Sequence, residues 1–312
     1  MILSASRRTD IPAFYADWFL RRVKEGFVCV RNPLNRRQVS RISLAPEVVD
    51  CIVFWSKNPA PMLDRLEELR DYMYYFQYTL NGYDRTVEPR VPEEEARLRV
   101  FRTLSERLGR ERVIWRYDPI LLTETLDPDF HARTFRRLAE ALAGYTEKAV
   151  VSFVDLYPAR NRKALEAVGL LRPTEETLRE LAGRLAEIAR SCGLEIATCA
   201  EPMDLSDLGI GHNRCIDGDL ISRLLGCPIR VGPDGQRPDC GCVKCEEIGA
   251  YDTCLHGCVY CYASGRGRPG LLRCDPDSPL LCDAVDPVLD RVTDRPVKSL
   301  RAEPEPEQLR LF

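Results

Sequence analysis

Six of the chain's 14 cysteines lie within 22 residues, between Cys240 and Cys261. Three of them, Cys254, Cys258 and Cys261, are spaced Cys-x3-Cys-x2-Cys, so their side chains can converge from one short loop. Three thiolates can bind three corners of an iron–sulfur cube and leave the fourth iron without a protein ligand, open to a small molecule. The spacing therefore predicts a [4Fe-4S] cluster with one exchangeable position.

Two residues between these cysteines suit such a loop. Gly257 permits a sharp backbone turn, and Tyr260 offers an aromatic face beside a molecule bound at the open iron. A structural zinc site that also uses His256 is the alternative, although zinc sites usually use Cys-x2-4-Cys pairs separated by a longer loop. A disulfide framework is not expected, because the N-terminal MILSASRRTD does not resemble a signal peptide and cytosolic thiols stay reduced.

A second set of four cysteines is distributed from position 199 to position 242. These are Cys199, Cys215, Cys240 and Cys242, with Cys245 as a spare candidate. Four thiolates are the complement for a second, fully ligated cluster or for a four-cysteine zinc site. The alternative is that Cys199 and Cys215 are small buried hydrophobic residues.

Short apolar runs alternate with amphipathic stretches over the first 200 residues. The runs predict seven strands, at Ile2–Ala5, Phe27–Val30, Cys51–Trp55, Met73–Thr79, Arg112–Arg116, Ala149–Val154 and Leu194–Cys199. Helical apolar stripes lie between them, with Gly109 as a stop signal and Asp127 and Thr174 as N-caps. Repeated strand–helix alternation implies parallel strands with right-handed crossovers.

We therefore predict an α/β fold with a full or partial (β/α) TIM-like barrel over residues 1–200. Residues 201–264 are a cysteine-rich metal-binding segment that completes the barrel. Residues 265–312, rich in Pro, Arg and Glu, read as a linker or disordered tail.

The functional site of such a barrel lies at the carboxyl ends of its strands, and there this chain is polar. Five predicted strands run into charged segments, which read SRRTD, WSKNP, WRYDP, VDLYP and CAEP. Five charged strand ends favour a shared polar pocket, although a single such residue is more often part of a turn or cap. The candidate catalytic residues are Arg7, Asp10, Lys57, Arg116, Asp118, Asp155 and Glu201.

The segment CLHGCVYCYA resembles the signature of radical S-adenosylmethionine enzymes, Cys-x3-Cys-x-aromatic-Cys, and most of all the branch that includes the spore photoproduct lyases. The resemblance implies a [4Fe-4S] cluster at the three cysteines and S-adenosylmethionine on the open iron. It also implies a reductant such as ferredoxin or flavodoxin, and a 5′-deoxyadenosyl radical that abstracts hydrogen from a substrate.

The chain departs from that signature in two ways. The Gly-Gly-Glu run that usually holds the methionine amino group is absent, so strand-end carboxylates such as Asp118, Asp155 or Glu201 would take that role. The candidate cofactor-binding residues are Tyr260, Arg116, Asp118 and Glu201.

The second departure is the place of the motif in the chain. In the radical S-adenosylmethionine enzymes the motif follows the first strand, whereas here it follows nearly the whole barrel. The resemblance therefore requires a circular permutation, with the segment EEIGAY supplying the strand before the cluster loop.

A second resemblance covers most of residues 1–265. The segments SASRRTDIPAFY, VRNPLNRRQVSRISLAPEVVDCIVFWSKNPAPM and SFVDLYPARN are similar to an uncharacterised bacterial family that ends in a similar cysteine box. This resemblance implies that the predicted barrel and the segment from Cys254 to Cys261, here called the cysteine box, belong together.

Composition limits the class of protein. The chain has 312 residues, 45% hydrophobic and 30% charged, with a net charge of −3, which gives no global electrostatic case for nucleic-acid binding. No apolar run approaches the ~20 residues that a membrane span needs. We expect a soluble, cytoplasmic protein with no membrane contact.

The last five residues, Gln308 to Phe312, read QLRLF and resemble the short peptide with which bacterial replication and repair proteins dock onto the DNA sliding clamp. Docking would make repair or modification of a nucleic acid the leading substrate class; the alternative is a terminus that packs on its own domain. Two other functions stay open: a metal-stapled binding module without radical chemistry, and a zinc-dependent hydrolase that uses the strand-end carboxylates.

Overall fold

The computed structural model describes residues 1–157, 160–234, 240–264 and 274–302. The strands are β1 (Ile2–Ala5), β2 (Phe27–Arg31), β3 (Gln38–Ser43), β4 (Cys51–Ser56), β5 (Tyr74–Thr79), β6 (Val113–Ile120), β7 (Lys148–Phe153), β8 (Glu195–Thr198), β9 (Gly211–His212), β10 (Glu246–Glu247) and β11 (Arg291–Asp294). The α-helices are α1 (Ile11–Phe14), α2 (Ala16–Glu25), α3 (Glu94–Leu108), α4 (Pro128–Leu142), α5 (Arg162–Ala167), α6 (Glu175–Ser191) and α7 (Gly218–Leu225). Short 3₁₀ segments cover Ala60–Leu69, Arg110–Arg112 and Ser206–Leu208.

Eight strands form one parallel sheet in the order β10-β1-β4-β5-β6-β7-β8-β9. Six of the seven predicted strands belong to it. The sheet is compatible with a partial (β/α) barrel, and among the described residues its two edge strands, β9 and β10, do not pair to close it. The strand β10 lies within EEIGAY and pairs with β1, Leu3 opposite Glu246, immediately before the chain enters the cysteine box.

Helix caps follow the sequence signals. Asp127 caps α4 by accepting a hydrogen bond from the Phe130 amide at 2.6 Å, and Thr174 caps α6 by accepting one from the Thr177 amide at 3.2 Å. The helix α3 ends at Gly109, as the stop signal predicts. None of the helices in the described ranges is long and apolar enough to cross a membrane.

The two faces of the parallel sheet are buried against different elements, because successive strand side chains point to opposite faces. On one face, residues such as Leu3 and Phe54 join the core formed with the helices. On the other, Ile2 and Val53 pack with Ile216, Ile221 and the second set of cysteines. That set therefore lies on the sheet face that packs against α7, opposite the face covered by α2, α3, α4 and α6.

A separate three-stranded sheet corrects two expectations. The predicted strand Phe27–Val30 is observed as β2, but it pairs antiparallel with β3 and takes no part in the parallel sheet. Residues 274–302 are not a linker or disordered tail: their strand β11 pairs parallel with β3, and Leu280 and Leu281 are buried. Apolar anchors and backbone pairing thus hold a segment whose Pro-rich, charged composition suggested disorder.

The same segment contains a disulfide between Cys274 and Cys282, which the sequence did not predict. It also contacts the start of the chain, because the Met1 ammonium donates to the Lys298 carbonyl at 2.7 Å. The same ammonium donates to the Asp50 carboxylate at 2.6 Å. The predicted clamp-docking peptide, Gln308 to Phe312, lies outside the described residues and stays a prediction.

Candidate functional site

Asp10, just after β1, ties the cysteine box to two strand ends. Its carboxylate caps α1 through the Ala13 amide at 3.0 Å and accepts from the Ser56 hydroxyl and the Lys57 amide, both at 2.7 Å. It also contacts Nε2 of His256, inside the box, at 2.8 Å. The residue is 6% exposed. One buried carboxylate thus joins the ends of β1 and β4 to the loop between Cys254 and Cys258.

The three cysteines of the box are partly buried and lie near one another. The pKa of the Cys254 thiol is raised to about 12, chiefly by burial and then by the charges of Asp10 and Cys261. Burial raises the pKa of the Cys258 thiol well above its ordinary value, against the lowering effect of Lys57, and both other thiols add to the rise. Because each negative thiolate disfavours the next, the set needs a compensating positive charge to ionise together.

The backbone of the box is fixed by its turn and by the loop that follows β5. Gly257 has a φ of +72°, a left-handed conformation that the turn between Cys254 and Cys258 requires. The Arg90 amide donates to the His256 carbonyl at 3.2 Å, and the Val259 amide donates to the Val87 carbonyl at 3.0 Å. The segment after β5 therefore lies directly against the box.

That segment contributes a buried carboxylate, Glu88, which sequence reasoning missed. Its Oε1 accepts from Lys57 Nζ at 2.8 Å, from the Tyr260 hydroxyl, and from Asn81 Nδ2 at 3.4 Å, while Oε2 lies 3.7 Å from Arg97 Nη1. Burial raises the pKa of Glu88, but Lys57 and Arg97 outweigh that effect, so the pKa lies below its ordinary value. The ammonium of Lys57 also lies 5.3 Å from the centre of the Tyr260 ring. The predicted residues Lys57 and Tyr260 are thus brought together.

Three buried polar atoms of this cluster lack a hydrogen-bond partner in the part of the chain that the structure describes. They are Glu88 Oε2, Arg97 Nη1 and Asn81 Oδ1. Glu88 and Arg97 also line a cleft of about 530 Å³ between the segment after β5 and the start of α3. The signal that could have found this cluster is Asn81, a polar residue two positions after a predicted strand end.

The second set of cysteines also comes together, from three separate segments. Cys199 follows β8, Cys215 lies between β9 and α7, and Cys240 and Cys242 precede β10. The sulfurs of Cys199 and Cys215 are 3.2 Å apart, Cys242 contacts Cys215, and Cys240 contacts Cys242. In the described ranges, no three or more His, Cys, Asp or Glu side chains surround a single point in a way that would hold one metal ion.

Comparison with known proteins gives one match. The sequence model of a family described as a domain of unknown function, DUF1848, matches residues 2–263. The chain belongs to the DUF1848 family. No curated protein and no solved structure matches it.

The DUF1848 match runs from β1 to two residues past Cys261, so the parallel sheet and the cysteine box belong to one family unit. The segment 274–302, with β11 and the disulfide, lies beyond it.

The charged strand ends of this DUF1848 protein have different direct partners. Arg116 and Asp118 lie within β6, which is longer than predicted, and they pair with each other. Nη1 of Arg116 also donates to the Cys215 sulfur at 2.8 Å. This pair therefore faces the second set of cysteines, whereas Asp10 and Lys57 face the cysteine box.

The other three predicted strand-end residues have separate surroundings. Arg7 donates to Asp234 at 3.3 Å and to the Cys245 sulfur at 3.5 Å. The carboxylate of Glu201 accepts from the Phe153 amide at 2.9 Å, and Asp155 accepts from the Tyr157 hydroxyl at 3.2 Å. Charge at a strand end predicts a polar partner, but the sequence alone does not show which group each side chain contacts.

Proposed function

We propose that this protein is an iron–sulfur enzyme of radical S-adenosylmethionine type. The observation that carries the proposal is that the Cys-x3-Cys-x2-Cys loop brings three partly buried thiols near one another and places Cys258 near Lys57. Three cysteines in one loop, with the Lys57 ammonium near them, suit a cluster with one iron left open.

The donor set fits such a cluster. Cys254, Cys258 and Cys261 would be its ligands, and the backbone N–H groups of Asp10 and His256 lower the pKa of the Cys254 thiol, which favours its thiolate. Amide hydrogen bonds to sulfur and a nearby ammonium stabilise ligated thiolates and tune the cluster they hold. When bound, the cluster and S-adenosylmethionine supply one-electron reductive cleavage and hydrogen abstraction, with a ferredoxin or flavodoxin as the electron source.

The chain's own residues offer a site for the amino-acid end of S-adenosylmethionine. Glu88 Oε2 can accept from an ammonium, and Arg97 Nη1 can donate to a carboxylate; both atoms are buried and lack hydrogen-bond partners in the described part of the chain. Tyr260 is held beside them by its hydrogen bond to Glu88. Glu88 is a better candidate for the missing Gly-Gly-Glu function than Asp118, because both carboxylate oxygens of Asp118 accept from Arg116, whereas Glu88 Oε2 accepts no hydrogen bond among the described residues.

The sheet order supports the circular permutation that this proposal requires. In the enzymes that the box resembles, the cluster loop follows the first strand of the barrel. Here the loop follows β10, which comes late in the chain but pairs with β1 at one edge of the sheet. The loop can therefore occupy the position after a leading edge strand despite its late place in the sequence.

The experiment that tests the proposal is iron analysis after anaerobic reconstitution. The combined variant Cys254→Ala, Cys258→Ala, Cys261→Ala is expected to lose about four irons per chain and the associated visible absorption, because it lacks all three proposed ligands. The matched control replaces three cysteines outside both sets, Cys29, Cys192 and Cys227, with Ala, and is expected to keep the iron. Unchanged iron in the first variant would overturn the assignment.

A further inference from the structure

The second set of cysteines, at positions 199, 215, 240 and 242, brings four thiols into a chain of contacts inside the protein. It lies on the sheet face that packs against α7, together with the side chains of Ile2, Val53 and Ile216. Three separate segments reach this position, from β8, from the turn before α7 and from the approach to β10. Four thiols from distant parts of the chain thus meet in an apolar surrounding.

Hydrogen-bond donors from the protein point at these sulfurs. Nη1 of Arg116 lies 2.8 Å from the Cys215 sulfur, and Nδ2 of Asn213 lies 3.4 Å from it. The Ile216 amide donates to the Cys242 sulfur at 3.4 Å. Sulfur is a weak acceptor as a thiol and a good one as a thiolate. Three N–H groups directed at two buried sulfurs therefore mark the set as built for thiolates.

The positive charge near the second set of cysteines is too small to compensate four thiolates. Arg116 brings one positive charge, but two of its nitrogens are bonded to the Asp118 carboxylate, so that charge is shared. Four thiolates in an apolar place need more positive charge than a shared guanidinium supplies. Zn²⁺ and iron–sulfur clusters are the centres that four cysteine thiolates hold in proteins.

We propose that Cys199, Cys215, Cys240 and Cys242 ligate a second metal centre, either Zn²⁺ or an iron–sulfur cluster, independent of the centre at the cysteine box. The sulfurs make a chain of contacts, from Cys199 to Cys215, Cys242 and Cys240. Binding would close this chain around the metal by moving its two end residues, which are only partly buried.

The test uses the variant in which Cys254, Cys258 and Cys261 are Ala, so that only the second centre contributes metal. Anaerobically purified protein is analysed for zinc, iron and acid-labile sulfide. About one zinc per chain identifies a zinc site, and iron with matching sulfide identifies a cluster. Either result supports the proposal, and a folded protein without stoichiometric metal overturns it.

Two further variants on that background assign the ligands. Adding Cys199→Ser with Cys240→Ser, one from each end of the chain of contacts, is expected to abolish the bound metal. Adding Cys245→Ser, a neighbouring cysteine that contacts Arg7, is expected to leave it in place. Metal that survives the first change, or is lost only with the second, contradicts the assignment.

A measurement without added substitutions guards against variants that fail to fold. The metal-depleted background protein is titrated anaerobically with Co²⁺, which reports four-thiolate coordination by intense charge-transfer absorption and tetrahedral visible bands. Saturation at one Co²⁺ per chain with these bands supports the centre. Absence of the bands in folded protein overturns it, whatever the outcome at the cysteine box.

Discussion

Replacing Glu88 with Ala is expected to lower the free energy of unfolding by about 3–5 kcal/mol. The change removes the partner of two buried cations: Lys57 at 2.8 Å and Arg97 at 3.7 Å, with side chains 13% and 2% exposed. Removing one member of a buried ion pair leaves uncompensated charge in a poorly solvated place, which is the main source of the loss. Urea denaturation of the protein, followed by far-UV circular dichroism, measures the change.

The matched control for this prediction is Glu93→Ala, in the same segment. Glu93 pairs with Arg85, and both side chains are 74% exposed, so its loss is expected to change stability by less than about 1 kcal/mol. Equal losses of unfolding free energy in the two variants would contradict a stabilising role for the ion pairs of Glu88 with Lys57 and Arg97.

The contribution of Glu88 should also depend on pH in a defined direction. Its pKa is lowered in the folded protein, since Lys57 and Arg97 outweigh the effect of burial. The stabilisation is therefore fully present above the ordinary glutamate pKa of about 4.3 and is lost as the pH falls through the folded-state pKa. The stability difference between wild type and Glu88→Gln is accordingly expected to shrink below about pH 4.

Replacing Asp10 with Ala is expected to cost about 3 kcal/mol of stability and to impair reconstitution of the cluster. It removes the cap of α1 and leaves the Ser56 hydroxyl, the Lys57 amide and His256 without their acceptor. Because His256 lies between two proposed ligands, the loop should lose its attachment to the sheet. Urea denaturation and iron analysis after reconstitution measure the two effects.

The matched control for Asp10→Ala is Asp127→Ala, which removes a helix cap and leaves the contact between Asp10 and His256 in place. Asp127 caps α4 in the same way, through the Phe130 amide, and its loss should cost about 1 kcal/mol and leave the iron content unchanged. If Asp10→Ala binds as much iron as Asp127→Ala, the contact between Asp10 and His256 has no role in holding the box.

Much of the scaffold could be predicted because its signals are local. Buried strands such as Cys51–Ser56 are continuous apolar runs, and caps such as Asp127 act within three residues. The strand β3, QVSRIS, was missed because three of its six residues carry hydroxyl or amide side chains and a fourth is charged. The strand β11 was missed because it pairs with β3, whose residues lie 253 positions earlier in the chain.

The site was predicted less completely because many of its contacts join residues that are far apart in the sequence. The spacing of Cys254, Cys258 and Cys261 is a local pattern, so the box could be identified from the sequence. Glu88 could not, since only the folding of the segment after β5 onto the box brings it to Lys57 and Tyr260. Arg116 was predicted at a strand end but lies within β6, and its partner Cys215 is 99 positions away.

The measurement that tests the central proposal most directly is formation of 5′-deoxyadenosine from S-adenosylmethionine. Anaerobically reconstituted, dithionite-reduced protein is incubated with S-adenosylmethionine, and the products are quantified by liquid chromatography and mass spectrometry. We predict slow product formation without added substrate, and none from the variant with Ala at 254, 258 and 261. Fully iron-loaded, reduced protein that forms no 5′-deoxyadenosine would contradict the proposal and favour a metal-stapled binding module.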